Sequence, residues 1–171
     1  MTRDTRANAR IVGSLRSVDG KGAVRMEGRY DTDIDDLWSA LTDSRRLARW
    51  IAKVEGDLRL GGEFHACFTS GWDGPGRVDV CEPPRRLLLT MRPGHQDETV
   101  IEARLAPAGD QTSLVIEERG LPLDEFADHG AGWQAHVEDL TAHIAGREPA
   151  DWRSRWTELI PSYQDLAGNL P

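Results

Sequence analysis

No apolar run in the sequence approaches the ~20 residues needed to span a bilayer, and a membrane role is not expected. The first ten residues, MTRDTRANAR, lack the apolar stretch of a secretory signal, so a cytoplasmic location is expected. Positive charge is in short supply. Lys and Arg number 21 against 29 Asp and Glu, for a formal net charge of −8. Nucleic-acid binding needs clustered cations facing phosphates, and the local groups here (Arg45, Arg46 and Arg49; Arg85 and Arg86) have acidic neighbours. No nucleic-acid partner is expected. Cysteine is nearly missing too. Cys67 and Cys81 alone cannot build a disulfide framework, and both read as inert core thiols on strands.

Catalytic motifs are equally scarce. There is no Gly-x-Ser-x-Gly elbow and no His-Glu-x-x-His pair. The glycine cluster Gly71-Trp72-Asp73-Gly74-Pro75-Gly76 lacks the Gly-Lys-Ser/Thr of a phosphate loop and reads as a hairpin turn. His129, His136 and His143 recur every seven residues. On a helix that spacing separates successive imidazoles by ~10.5 Å along the axis, too far for one metal ion. They read as flank residues beside an apolar stripe, with Asp139 able to pair with His136 or His143. His65 alternates with Phe64 and Ala66 and so points away from them, toward solvent. No metal, cofactor or catalytic residue is assigned.

What is present is the pattern of one α+β domain. A chain of 171 residues, 39% hydrophobic and 29% charged, has globular composition and enough length to bury a core. Arg10 to Val18 and Gly22 to Tyr30 read as strands joined by Asp19-Gly20-Lys21-Gly22. Thr32-Asp33-Ile34-Asp35 reads as a helix start with a hydroxyl cap, followed by Leu37, Trp38 and Leu41 on one face. A second short helix runs from Arg45 to Ile51. Phe64, Ala66 and Phe68 alternate with His65, Cys67 and Thr69 on a strand. Further strands are expected at 77–81, 86–92, 99–105 and 112–119, joined by turn residues into an antiparallel meander. Phe126, Gly130, Trp133, Val137, Leu140 and Ile144 then step by four and three along one long helix ended by Gly146. Trp152, Trp156, Leu159 and Tyr163 mark a last helix that Pro161 should stop or kink.

Three stretches carry a family resemblance. They are Tyr30-Asp31-Thr32-Asp33-Ile34-Asp35-Asp36-Leu37-Trp38-Ser39-Ala40-Leu41-Thr42-Asp43, Leu47-Ala48-Arg49-Trp50 and Gly56-Asp57-Leu58-Arg59-Leu60-Gly61-Gly62-Glu63-Phe64. Gly76-Arg77-Val78, Pro83-Pro84-Arg85-Arg86-Leu87 and Gly132-Trp133 extend it. Together they resemble the bacterial SRPBCC (START-like) superfamily, in its branch named after the activator of Hsp90 ATPase, over residues 10–146. Residues 147–171 form an extension outside that pattern. The resemblance implies a helix-grip fold, a curved antiparallel sheet wrapped around the long C-terminal helix. It also implies a range of roles: members bind lipids, hormones or polyketides, and some are cyclases or hydroxylase components.

With a grip, side chains between sheet and helix line a cavity or fill a core. Trp38 is expected to fill. Trp50, Phe64, Phe68 and Trp133, with Val137 and Leu140 on the helix stripe, are the expected walls of a pocket for a small apolar or amphipathic ligand. The first expectation is therefore a binding protein rather than an enzyme. An interaction role like that of the Hsp90 activator is the second. A polyketide cyclase or aromatase is the third, and would need polar groups inside the pocket. Arg77, Glu102, Arg104 and Glu117 are the strand residues that would supply them by facing inward. Trp152 and Trp156 are expected to dock on the protein's own surface, with a homodimer contact as the alternative.

Overall fold

The computed structural model describes residues 11–170. The polar lead at 1–9, Arg10 at the expected start of the first strand, and Pro171 lie outside the described residues.

Eight strands form one open antiparallel sheet in the order β1-β2-β8-β7-β6-β5-β4-β3. They are β1 (Val12–Val18), β2 (Lys21–Tyr30), β3 (Ala52–Gly56), β4 (Glu63–Phe68), β5 (Asp73–Glu82), β6 (Arg86–Met91), β7 (Thr99–Ala108) and β8 (Gln111–Leu121). Two short helices, α1 (Ile34–Thr42) and α2 (Ser44–Trp50), sit between β2 and β3. Two long ones, α3 (Phe126–Ile144) and α4 (Trp152–Gly168), follow the sheet. This is the helix-grip α+β fold. The sheet stays open because β1 and β3 are both edges, and α3 covers its inner face with a stripe from Phe126 through Val137 to Leu140.

The period of two decides what the sheet buries. On β8, Leu114 and Ile116 face α3 while Val115 and Glu117 face out. On β2, Val24 and Met26 are buried beside them in register. The two short helices are joined by a shared cap. Asp43 closes α1, and its carboxylate accepts from the Arg45 N–H at the start of α2. At the start of α1 the cap is Asp33, which accepts from the Asp36 N–H, while Thr32 donates its hydroxyl to the Asp36 carboxylate. The expected hydroxyl cap is thus displaced by one residue.

Three other expectations are corrected. Ala52–Gly56, not anticipated as a strand, pairs with β4 as the sheet edge. The glycine cluster is mostly strand rather than turn, because Asp73 to Gly76 pair with β4. Gly76 suits that place because a Cβ there would lie 2.3 Å from the Phe64 ring, so the Phe64 side chain lies across it. Pro161 does not stop α4. Leu159 and Tyr163, buried on either side of it, hold both halves against the protein, and the ring itself faces solvent.

The docking of α4 depends on Tyr163. Its hydroxyl donates to Gln134 of α3 at 2.6 Å, and its ring lies where Gly130 has no side chain. An added Cβ at Gly130 would meet that ring at 2.5 Å. In an isolated helix, Gly→Ala gains about 1 kcal/mol. Here overpacking against a buried ring should outweigh that gain, so Gly130→Ala is expected to destabilise by about 1–2 kcal/mol in urea unfolding. Gly168→Ala, with nothing within 4 Å of the added methyl, should be neutral or stabilising in the same assay.

Candidate functional site

A cavity of about 320 Å³ opens where the sheet, α3 and the start of α4 meet. Phe68, Trp72, Met91 and Ile101 form its sheet side. Gly132, Trp133, His136, Trp152 and Trp156 form its helix side, with the half-exposed His129 at the same site. A second cavity of about 100 Å³ lies between α1–α2 and the sheet, lined by Leu41, Trp50, Phe64 and Val78 among others. Phe68, Met91, Ile101 and Trp133 belong to both, so these four form the partition. A larger hollow between α3 and α4 is lined by Glu138, Asp139, Arg147 and Arg155. Two of its charges are paired with each other, Arg155 donating to Glu138 at 2.6 and 2.9 Å.

Each residue expected in the pocket has a definite place. Trp133 and Phe68 stand between the two cavities. Trp50 and Phe64 line the smaller one, and the Trp50 indole donates to the Ala40 carbonyl at 3.0 Å. Val137 and Leu140 line neither. They are 1% and 0% exposed and belong to the packed core under α3. Trp38, expected to fill the core, is half-buried against it.

The polar chemistry inside the grip comes from residues the sequence reading passed over. Glu118 continues the inward series Leu114–Ile116 and is 8% exposed. Its carboxylate accepts from the Trp133 indole N–H and from the Thr99 hydroxyl, each at 2.8 Å. His129 Nδ1 stands 3.8 Å from the same carboxylate. The alternation alone was the signal, since Glu118 falls two residues after Ile116 on the apolar face. Arg77, Glu102, Arg104 and Glu117 all face outward instead. Arg77 pairs with Asp79. Glu102 accepts from Arg86, Arg119 and Arg104 at 2.7–3.0 Å. Burial alone would raise the Glu102 carboxyl, but the three guanidiniums outweigh it and hold the group at about 2.

The helix histidines do not share one flank. His143 accepts from Arg46 at 3.0 Å. His136 is not a flank residue. It is 4% exposed and packed among aromatic rings, 5.8 Å from Trp133, 5.9 Å from Phe68 and 5.2 Å from Trp152 between centroids. The heptad spacing misled because the buried arc of α3 is wider than one stripe. Gly132, Ala135 and His136 are buried as well as Trp133 and Val137. Asp139 is buried but pairs with neither histidine, and a backbone N–H at Ala150 reaches it instead. Nδ1 of His136 and Nε1 of Trp152 have no hydrogen-bond partner in the protein. Both side chains line the larger cavity.

Trp152 is 6% exposed and stacks on Trp156 at 5.7 Å, while the Trp156 indole donates to the Asp128 carbonyl. These aromatics are used on the chain's own α3. The expected docking on the protein's own surface is what the geometry has.

Residues 31–145 match the family described as activator of Hsp90 ATPase homolog 1-like protein. The chain belongs to that family. No curated protein matches it in sequence. Among solved structures, CalU16 from Micromonospora echinospora is similar, with a TM-score of 0.75 and 27% identity, covering 93% of this chain and 98% of that one. DynU16, described as a putative protein in the dynemicin biosynthetic locus, gives 0.68 and 27% over 75% of this chain and 50% of its own. A Bordetella parapertussis protein, BPP1335, gives 0.69 and 24% over 87% of each chain and shares the fold. The family match ends at residue 145, so Trp152 and Trp156 complete the cavity from outside the matched span.

Two buried groups of α3 have opposed pH dependences. Burial pushes His136 down to about 3 from 6.5. The unfolded chain therefore takes the proton first, and the stability of the neutral ring is lost as pH falls from 6.5 toward 3. Burial pushes Asp139 up to about 6 from 3.8, opposed by the Ala150 N–H and reinforced by Glu138. Its contribution is present below 3.8 and is lost as pH rises toward 6. Between about pH 4 and 6 the two offset. Relative to the wild type, His136→Phe should therefore lose stability as pH rises through that window, by up to about 1.4 kcal/mol per unit. Asp139→Asn should show the reverse slope. Urea unfolding at a series of pH values reads both.

Proposed function

We propose that this protein binds a small, mostly apolar molecule carrying an oxygen function in the cavity between the sheet, α3 and α4. The observation that carries this reading is the pairing of an aromatic wall with two unpartnered polar atoms, His136 Nδ1 and Trp152 Nε1. A buried donor without a partner costs ~1–3 kcal/mol. A ligand hydroxyl or carbonyl that accepts from Trp152 and meets His136 recovers that cost, while its apolar body covers Trp133, Met91 and Ile101. The rings supply contact area, and the two nitrogens supply orientation.

The likeness to DynU16, described as a putative protein in a biosynthetic locus, supports a natural-product ligand over a protein partner. Family membership alone supports neither choice, because one fold hosts many functions. A co-chaperone-like role has no comparable observation behind it. A cyclase-like reaction on the bound molecule has one, the Glu118 carboxylate in the cavity with His129 3.8 Å away. That pair has the chemistry of proton transfer.

Native mass spectrometry of protein purified gently from its own host, and again after incubation with an organic extract of that host, tests the binding. An adduct that disappears on denaturation is expected. Gly132→Leu should remove it, because even a Cβ at Gly132 lies 3.3 Å from the Trp152 ring and a longer chain enters the cavity. His136→Phe, which keeps the ring packing and removes Nδ1, should weaken the adduct about tenfold or more. A clean mass in both preparations would overturn the reading.

A further inference from the structure

The outer face of the sheet carries a second constellation, separate from the cavity. His65 and Cys67 are two residues apart on β4 and therefore point the same way. Asp73, the first residue of β5, is the register partner of Cys67. Its carboxylate takes both neighbours at once. Oδ1 is hydrogen-bonded to His65 Nε2, and Oδ2 accepts from Cys67 Sγ at 3.1 Å. All three candidate ligand atoms lie within 4.8 Å of one another. We propose that His65, Cys67 and Asp73 bind one divalent transition-metal ion of the zinc class on the outer face of the sheet.

The donor set selects the ion. One imidazole nitrogen, one sulfur and one carboxylate oxygen suit zinc and cobalt, whereas magnesium and calcium take oxygen ligands. Tetrahedral zinc holds its ligands at ~2.0–2.3 Å, which places them about 3.5 Å apart. The three donor atoms already lie within 4.8 Å of one another, on side chains exposed to solvent. The backbone is held on both sides. Cys67 and His65 lie between β3 and β5, and Arg92 stacks over Trp72 while donating to the Asp73 carbonyl at 2.8 Å. Three protein ligands on an exposed face leave the fourth position to water.

The surrounding charges favour a cation. Glu55 is paired with His65, and Lys53 with Cys67, across β3 and β4, so both face the site. Arg92 stands beside Asp73. The two carboxylates, Glu55 and Asp73, balance these two cations, and the sulfur adds a negative charge once it binds metal as thiolate. Without metal, Cys67 is no activated nucleophile, because its hydrogen bond to Asp73 holds the thiol protonated. Metal uptake therefore releases that proton to solvent, the sulfur binds as thiolate, and Asp73 exchanges two hydrogen-bonded neighbours for the ion. Cys67 was expected in the core and is exposed, whereas Cys81 is half-buried on β5.

Cobalt titration of the metal-free, reduced full chain tests the site. At one equivalent, a thiolate-to-cobalt charge-transfer band and visible d–d bands should appear, and zinc should abolish them. Cys67→Ser should lose the charge-transfer band. His65→Ala should weaken zinc binding about tenfold or more in a calorimetric titration. Cys81→Ser should behave as wild type. Circular dichroism confirms folding of each variant, and all three substitutions fall outside the lining of the ligand cavity. No band at one equivalent, a band that survives Cys67→Ser, or one lost in Cys81→Ser would each overturn the proposal.

Discussion

The hydrogen bond from the Trp133 indole to Glu118 sets the geometry on which the cavity depends. A carboxylate on the inner face of a sheet is costly unless its oxygens are paired. Here one oxygen takes Trp133 from the helix and the other takes Thr99 from the neighbouring strand. The bond ties α3 to β8, and through Thr99 to β7. It also stands the Trp133 ring between helix and sheet, where a large indole spaces the two layers. Aliphatic packing could close that gap on either side. It does so toward Val137 and Leu140, which are fully buried. Toward Gly132 and His136 it does not, and the space left there is the cavity of about 320 Å³.

Completion of that cavity falls to α4. Gly132 leaves room for the Trp152 ring, and Gly130 leaves room for the Tyr163 ring, so two side-chain-free positions on α3 receive two aromatics of α4. The last helix is therefore a wall of the site as well as a cover. Trp152 brings an indole N–H into a place where the fold supplies no acceptor. His136, kept neutral by its burial, brings a second polar atom. A polar pair of this kind destabilises a dry core and suits a bound molecule, which is the physical ground for proposing a ligand there.

The fold was legible in the sequence to a large degree, and the reasons are local. Period-two alternation identified β2 and β4, turn residues marked off β8, and the four-three stepping of Phe126 to Ile144 identified α3 with its observed ends. Ala52–Gly56 was missed because its polar composition, Lys53 and Glu55 among five residues, hides an edge strand with one face in water. The candidate site was legible only in part. Trp50, Phe64, Phe68 and Trp133 could be placed because large aromatics on inward faces have few other places to go. Glu118 and His136 were overlooked because residue type was weighed above position. A glutamate after two buried aliphatics received no reading, and a histidine beside two stripe residues was read as a flank residue. Trp152 was beyond reach for a different reason. Its partner lies on another helix, and no local pattern encodes which face of α3 receives it.

The two faces of β4 carry two unrelated sets of side chains. Phe64, Ala66 and Phe68 point into the grip and take part in its cavities. His65 and Cys67 point outward to Asp73. Because side chains alternate, a substitution on one face leaves the other face's neighbours in place. The backbone is nevertheless shared. Phe68 accepts the edge of Trp72 at 5.4 Å, and Trp72 in turn carries the Arg92 guanidinium that holds the Asp73 carbonyl. The residues that position the outer carboxylate are thus packed directly on the inner wall. The aromatic and cation stack braces the β4–β5 hairpin at the point where the strand ladder ends.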